Sequence, residues 1–475
     1  MMSEVLVCFI ALLVTWISHL VHGWWLNPKC KGRLPRGSMG LPIIGETIPF
    51  FSPHSFYGIP HFISKRMTKY GSVLKTSLVG NLVVVSGDSE LNQYIFKEGK
   101  SVYCSYKESA LKIMGEQSLL AYHGVFHKYL KNLTLSMIGP ESLKEVLLHE
   151  TDAITRKYLH SCSNYASFDV KEESANMVFE YFAKKLFGCE EAKAYRRNLR
   201  ESYKAFLDGI ISFPLNIPGT AFHACLKGRE NAIKVINNVI NERKSSQKLC
   251  HDFLDFLLEE AKSKDTILNE AIIVDLVFLL LFASYETTSE AITLVMKFLS
   301  DHPSVVVELT KEHEEILKNR KNEELGITWT EYKSMTFTHM VINETLRLGN
   351  IVPGIFRGVT KDIEMKGTTI PAGSTVMVCP SAVHLNPAKY NDPLAFDPWR
   401  WEGQELHAGS KNFVAFGGGS RLCAGAHFAK VQVAVFLHYL VTKYRWKKIR
   451  GGDIIRKPGL VFPDGLHIQI SAKYK

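Results

Sequence analysis

Four groups of residues have types and spacings suited to chemistry. The first is the run FGGGSRLCAG at 416–425. Gly417, Gly418 and Gly419 permit backbone conformations closed to other residues, and Cys423 follows them just ahead of a helical pattern. A cysteine at a helix N-terminus is favoured as thiolate by the dipole and by nearby amide donors. Such a thiolate suits axial ligation of haem iron, where its electron push favours O–O cleavage, and Arg421 suits a haem propionate. A glycine-rich turn around a buried free cysteine is the plainer reading of the three glycines alone. The second group is Ala283-Ser284-Tyr285-Glu286-Thr287-Thr288, inside a long apolar stretch. Polar side chains there are costly unless bonded or used. Back-bonded threonines and a salt bridge for Glu286 are the alternative to a catalytic role. The third is Glu344 with Arg347, whose spacing puts them on one helix face; alone they read as a surface ion pair. The fourth is His127 with Lys131, one turn apart, able to donate to carboxylates but without the bidentate fork of arginine. A solvated basic helix face is the alternative there.

Bringing these groups together requires a large helical body. The strongest helix covers about 267–300 and ends at Asp301-His302-Pro303. It is apolar nearly all round, which predicts burial, and at ~1.5 Å per residue it would run about 50 Å, enough to cross a domain. A second apolar helix is predicted at about 424–443. The section 140–345 reads as helix-rich, interrupted by a loop at FPLNIPGT (213–220). SVLKTSL and NLVVVS, within 72–86, read as a hairpin with Gly80-Asn81 at its turn. After about 350 prolines make the chain irregular, before short strands at the end.

At ~150 residues per domain, 475 residues suggest about three domains, yet no linker after residue 40 reads as a boundary. With 46% hydrophobic and 22% charged residues, a disordered chain, a collagen-like fibre and a polytopic membrane protein are excluded. The net charge of +10 favours acidic partners; long basic runs are lacking, so nucleic acid is the least supported of these. Nine cysteines, scattered and without CxxC, argue against a zinc ribbon and fit a reducing compartment. Residues 5–26 are apolar enough for one tilted span, with Trp24 and Trp25 suited to an interface. Only Glu4 is charged before the run, whereas Lys29, Lys31, Arg33 and Arg36 follow it. That asymmetry predicts a signal anchor with the body on the cytosolic side rather than a cleaved leader.

The 416–425 run matches every fixed position of FxxGxRxCxG, the cysteine-ligand loop of the cytochrome P450 superfamily, at Phe416, Gly419, Arg421, Cys423 and Gly425. From about residue 30 to 475 the chain resembles that family, with its other motifs in order. The resemblance implies a mainly α fold with small β-sheets: a transmembrane signal anchor (1–26), a Pro/Gly-rich basic hinge (27–42) and one haem domain (43–475). It implies haem b with Cys423 as iron ligand. It implies propionate contacts from His127, Lys131, Arg357 and Arg421, although the family often carries Trp and Arg at the first two places. Glu344, Arg347 and Arg400, the last from FDPWRW, would form a buried structural network. Thr287 would hold a dioxygen-bound water and Glu286 would feed protons, in a helix whose hydrogen bonding is locally kinked; Ser284 stands where the family usually has Gly.

The implied partners are the endoplasmic reticulum membrane and an NADPH-cytochrome P450 reductase, docked on basic residues for which Lys128, Lys131, Lys411 and Lys430 are candidates. The haem domain is expected to be monomeric. Phrases such as GLPIIGET and FGGGSRLCAGAHFAK resemble the plant microsomal clan that oxidises sterols, brassinosteroids and triterpenoids. Hydroxylation of a sterol side chain, extending to successive oxidations and C–C cleavage, is favoured. Triterpenoid or brassinosteroid hydroxylation stays open, as do a reductase-independent haem-thiolate isomerase or dehydratase and a haem-free helical scaffold. The pocket is expected along 102–120, 206–213, 276–287, 352–356 and 460–462, including Ala283, Val352, Ile355, Phe356 and Val461.

Overall fold

The long helix runs Glu270–Asp301 and stays α-helical throughout, in a computed structural model that describes residues 2–25, 30, 32–99, 101–104, 106, 108–188, 192–246, 249–264, 266–320, 326–404 and 410–473. Its start is capped by Asn269, whose side chain accepts from the Ile272 N–H at 2.9 Å. His302 and Pro303 end it, the proline opening the next helix (Pro303–Lys318). Apolar side chains on every face leave it no side for water, so most residues from Ile272 to Leu299 are buried. Val170–Phe187 packs along it, with Phe179 edge-on to Tyr285 at 5.2 Å. Tyr203, from Ala192–Ile210, stacks on Phe278 at 5.0 Å and donates its hydroxyl to the Phe278 carbonyl at 2.8 Å. The second apolar helix, Ala426–Lys443, is buried along most of its length.

A five-stranded sheet flanks this helical body. Its order is Val73–Leu78, Asn81–Ser86, Thr375–Val378, Ile355–Val359 and Val102–Cys104; only the second and third pair parallel. Leu74 stands opposite Val85, setting the register of the predicted hairpin. Its turn lies one residue earlier than Gly80-Asn81. Val79 and Gly80 both take positive φ (50° and 71°), and Asn81 already opens the second strand. Two positive φ angles match the twist of the flanking strands. Smaller sheets of two and three strands complete the fold.

Among the described residues, two helices are long and apolar enough to cross a membrane. Glu270–Asp301 is mostly buried, as a core helix must be, whereas Glu4–Gly23 has a hydropathy of 2.2 and no part of it buried. Of the hinge, 27–29 and 31 lie outside the described residues, and Lys29 and Lys31 with them. Cys8, Cys30, Cys104, Cys162, Cys225, Cys379 and Cys423 are free. Cys250, in the loop after the helix Ala221–Ser246, is disulfide-bonded, a departure from uniformly reduced thiols that scattered spacing does not reveal.

Candidate active site

A largely apolar cavity of about 2080 Å³ lies between the long helix, the cysteine loop and the sheet. Ala283, Ser284, Glu286, Thr287 and Thr288 face it from the helix, and Phe416, Arg421, Cys423 and Gly425 from the loop. His127, Lys131, Arg357, Val352, Ile355, Phe356 and Val461 line it too. Among the described residues no cluster of three His, Cys, Asp or Glu groups is placed to hold a bare metal ion.

Backbone geometry shapes the cysteine loop. Gly417 and Gly419 take φ of +73° and +65°, and a Cβ on Gly419 would lie 1.8 Å from the Phe96 carbonyl oxygen. The Cys423 N–H closes the loop by donating to the Phe416 carbonyl at 3.0 Å. Gly425 caps Ala426–Lys443. Cys423 is exposed, but towards a cavity it lines, while protein encloses it on its other sides. Burial pushes its thiol up; the Gly425 N–H and the nearby Lys131 charge pull the other way.

Basic groups gather at this end of the cavity. Arg421 donates to the carbonyls of Leu119 (3.3 Å) and Tyr122 and meets His123 Nδ1 at 2.8 Å. Arg357, in strand Ile355–Val359, donates to the Phe356 carbonyl at 2.9 Å and lies 5.6 Å from the Phe96 ring centre. Lys131, on Gly124–Ile138, donates to the carbonyls of Ser420 and Leu422 at 3.0 Å each, tying that helix to the cysteine loop. His127 is buried, and its ring pKa falls to about 4 through burial first, then Arg421 and Lys131. These cations bond to carbonyls and a ring nitrogen, so the place is positive and suits anions. An apolar slot with a thiol on its wall and cations at one edge fits a flat apolar macrocycle with carboxylate arms.

On the helix side, the hydroxyls of Ser284 and Thr287 bond back to their own helix. Ser284 Oγ donates to the Leu281 carbonyl and Thr287 Oγ1 to the Ala283 carbonyl, each at 2.9 Å, and the helical ladder continues beneath them. Glu286 accepts from Lys171 Nζ at 2.9 Å.

Behind the loop, Glu344 and Arg347 are fully buried, not at the surface as the pair alone would read. The Glu344 carboxylate accepts from Arg347 Nε and an Arg347 terminal nitrogen (both 2.8 Å), Arg400 Nε (2.9 Å), the Asp397 N–H (3.0 Å) and Trp401 Nε1 (3.0 Å). Arg347 also donates to the carbonyls of His384, Pro393 and Ala395. His384 relays this network to the loop: Nδ1–H donates to Asn350 Oδ1 (2.7 Å), and the Val414 N–H donates to Nε2 (2.9 Å). Both ring nitrogens are used in the neutral form only. Burial, then Arg347, pushes the ring pKa from 6.5 to about 3. The folded state therefore binds fewer protons across that window. The stability His384 contributes is complete above pH 6.5 and is lost as pH falls through about 3. Denaturation midpoints should fall across that range and fall less steeply in His384→Asn; equal slopes would show that the ring does not titrate so.

Two of the four candidate docking lysines turn inward. Lys131 holds loop carbonyls, and half-buried Lys430 donates to Asn343 Oδ1 at 2.9 Å. Lys128 and Lys411 stand exposed, Lys411 3.4 Å from Glu90. Cys104, within the expected stretch 102–120, points inward beside exposed Tyr103. Cavity residues missed from sequence include Lys171 and Glu290, which meet only across two helices.

The family model described as Cytochrome P450 matches residues 35–468. Cytochrome P450 87A3 of Oryza sativa subsp. japonica is 51% identical over 94% of this chain and 88% of its own. Cucurbitadienol 11-hydroxylase of Siraitia grosvenorii is 42% identical, and cholesterol 16,22-dihydroxylase of Trigonella foenum-graecum 36%; they cover 98% and 99% of this chain, and each is itself 98% covered. The solved structure of retinoic acid bound cyanobacterial CYP120A1 superposes with a TM-score of 0.83 at 25% identity, over 93% of this chain and all of that one. Helical architecture, cysteine loop and whole-length likeness agree: the chain belongs to the cytochrome P450 family and is an oxidoreductase of the haem-thiolate monooxygenase type.

Proposed function

We propose that this monooxygenase hydroxylates a sterol on its side chain, with further oxidation of the same carbon chain as an extension. The observation that carries a polycyclic substrate is the cavity: about 2080 Å³ and apolar over most of its wall. Apolar residues at its rim, among them Ile48 and Phe213, are exposed, which suits a substrate arriving from lipid. The relative acting on cucurbitadienol favours a second reading, hydroxylation of a triterpenoid.

Haem fits the site. Cys423 would ligate its iron, with Phe416 and Gly425 beside the sulfur. His127, Lys131, Arg357 and Arg421 would hold its carboxylates. When bound, haem supplies reductive activation of dioxygen and oxygen insertion into a C–H bond. The chain's part is to exclude water, pose the substrate against the Ala283 turn and move protons. Thr287 Oγ1 releases the Ala283 carbonyl to orient a water, and Glu286 delivers the proton.

Anchoring by Glu4–Gly23 in the endoplasmic reticulum, with the body cytosolic, and electron supply by an NADPH-dependent reductase docking near Lys128 and Lys411, complete the reading. The test is turnover of cholesterol, sitosterol, cucurbitadienol and β-amyrin with reductase and NADPH. Side-chain products from the sterols support the proposal, and ring products from triterpenes alone replace it with the second reading. Turnover without NADPH would instead mark an isomerase. Thr287→Ala should keep NADPH consumption while diverting it to peroxide; undiminished product per NADPH would remove Thr287 from proton delivery.

A further inference from the structure

Glu290 and Lys171 stand behind Glu286, and no role above uses Glu290. It lies one helical turn beyond Glu286 on the same helix face. Lys171, in the first turn of Val170–Phe187, places Nζ 2.9 Å from Glu286 Oε1 and 3.9 Å from Glu290 Oε1. Glu290 is 7% exposed, and all three side chains line the cavity. Two carboxylates thus share one ammonium where water is largely shut out.

Arg456 also faces Glu290 and pulls with Lys171. Arg456, from strand Ile455–Lys457, is buried, and its guanidinium is committed to the carbonyls of Asn350 (3.0 Å), Leu348 (3.3 Å) and Gly349 (2.6 Å). Asp169, the N-cap of the Lys171 helix, faces Lys171 as well. Burial first, then the Glu286 charge, raise the Glu290 carboxyl to about 8, against the pull of Lys171 and Arg456. At neutral pH the group holds its proton.

We propose that Glu290 is a proton store that reloads Glu286 through Lys171. The Lys171 ammonium passes one proton to the Glu286 carboxylate and takes one from the Glu290 carboxyl. Lys171 keeps its charge, Glu286 becomes the acid, and Glu290 is left ionised until water re-protonates it. The 3.9 Å separation is closed by a rotation of the lysine's terminal bonds, its nearer contact to Glu286 loosening as that group is protonated. Monooxygenation consumes two protons with each dioxygen, so one acid at the cavity wall needs reloading within a turnover.

This rests on Glu286 as the proton-delivering acid, and the test separates the two. Infrared difference spectra of the full-length haem-loaded enzyme should show a carboxylic-acid C=O band at pH 7 that fades near pH 8. Glu290→Gln should remove that band while leaving the reduced-CO spectrum intact. A band unchanged in Glu290→Gln overturns the proposal. With cholesterol and cucurbitadienol as probes, Glu290→Gln should lower product per NADPH several-fold and raise the solvent isotope effect. If Glu286→Gln uncouples and Glu290→Gln does not, the store is refuted while the acid stands. If neither uncouples, the reading of Glu286 itself falls.

Discussion

Cys423→Ser should fold like the parent and lose the thiolate-dependent, red-shifted band of the reduced carbon monoxide spectrum, together with all NADPH-supported hydroxylation. The split between fold and activity is the informative part. Within the protein the Cys423 side chain has the Gly425 N–H as a local donor and otherwise opens into the cavity. Serine keeps that bond and nearly the volume, so the cost in stability should stay within about 1 kcal/mol, the ordinary range for one modest hydrogen-bond change. The electronic loss is complete, because an alkoxide at neutral pH does not replace a thiolate as an electron donor to iron. A second cavity thiol gives the control. Cys104 also lines the cavity, buried, 3.8 Å from an Arg357 terminal nitrogen. Cys104→Ser should keep the band. If Cys423→Ser kept it and Cys104→Ser lost it, the ligand would be misassigned.

The largest loss of stability should come from Glu344→Ala. The carboxylate takes five donors on two oxygens with no exposure to water. Its removal leaves the Arg347 guanidinium buried and short of two partners, and Arg400 and Trp401 each short of one. Breaking such a pair from one side costs about 3–5 kcal/mol, against ~5–15 kcal/mol for a whole domain. Chemical denaturation of the purified variant should show that loss, with haem content falling alongside. The double variant Glu344→Leu, Arg347→Leu should cost less than the two single changes added together, since it leaves no unpaired charge between those two positions. Single changes costing under about 1 kcal/mol would show that the network is not structural. The effect reaches the active site by a stated route: Arg347 holds the His384 carbonyl, and the His384 ring holds Val414, two residues before Phe416.

Much of this was legible in the chain. The long helix ends where Asp301-His302-Pro303 marks its stop, because proline cannot continue a helix while capping residues can begin one. The cysteine loop was legible because its glycines answer to local geometry: positive φ at 417 and 419, and the Phe96 carbonyl against 419. The inward turn of Lys430 was hidden. Long flexible side chains take whichever carbonyl or amide lies near, and those belong to segments far along the chain.

Sequence alone pointed to the family and a candidate thiol through motif resemblance, and to the helical class and the polar residues on the cavity helix through periodicity and capping. Only the tertiary structure decided that Glu286, Lys171 and Glu290, from two helices, meet, and that His384 joins the Glu344, Arg347 and Arg400 network from another segment. An ion pair's strength depends on separation and on exclusion of water, and both are set by packing between segments, which spacing along one chain does not encode.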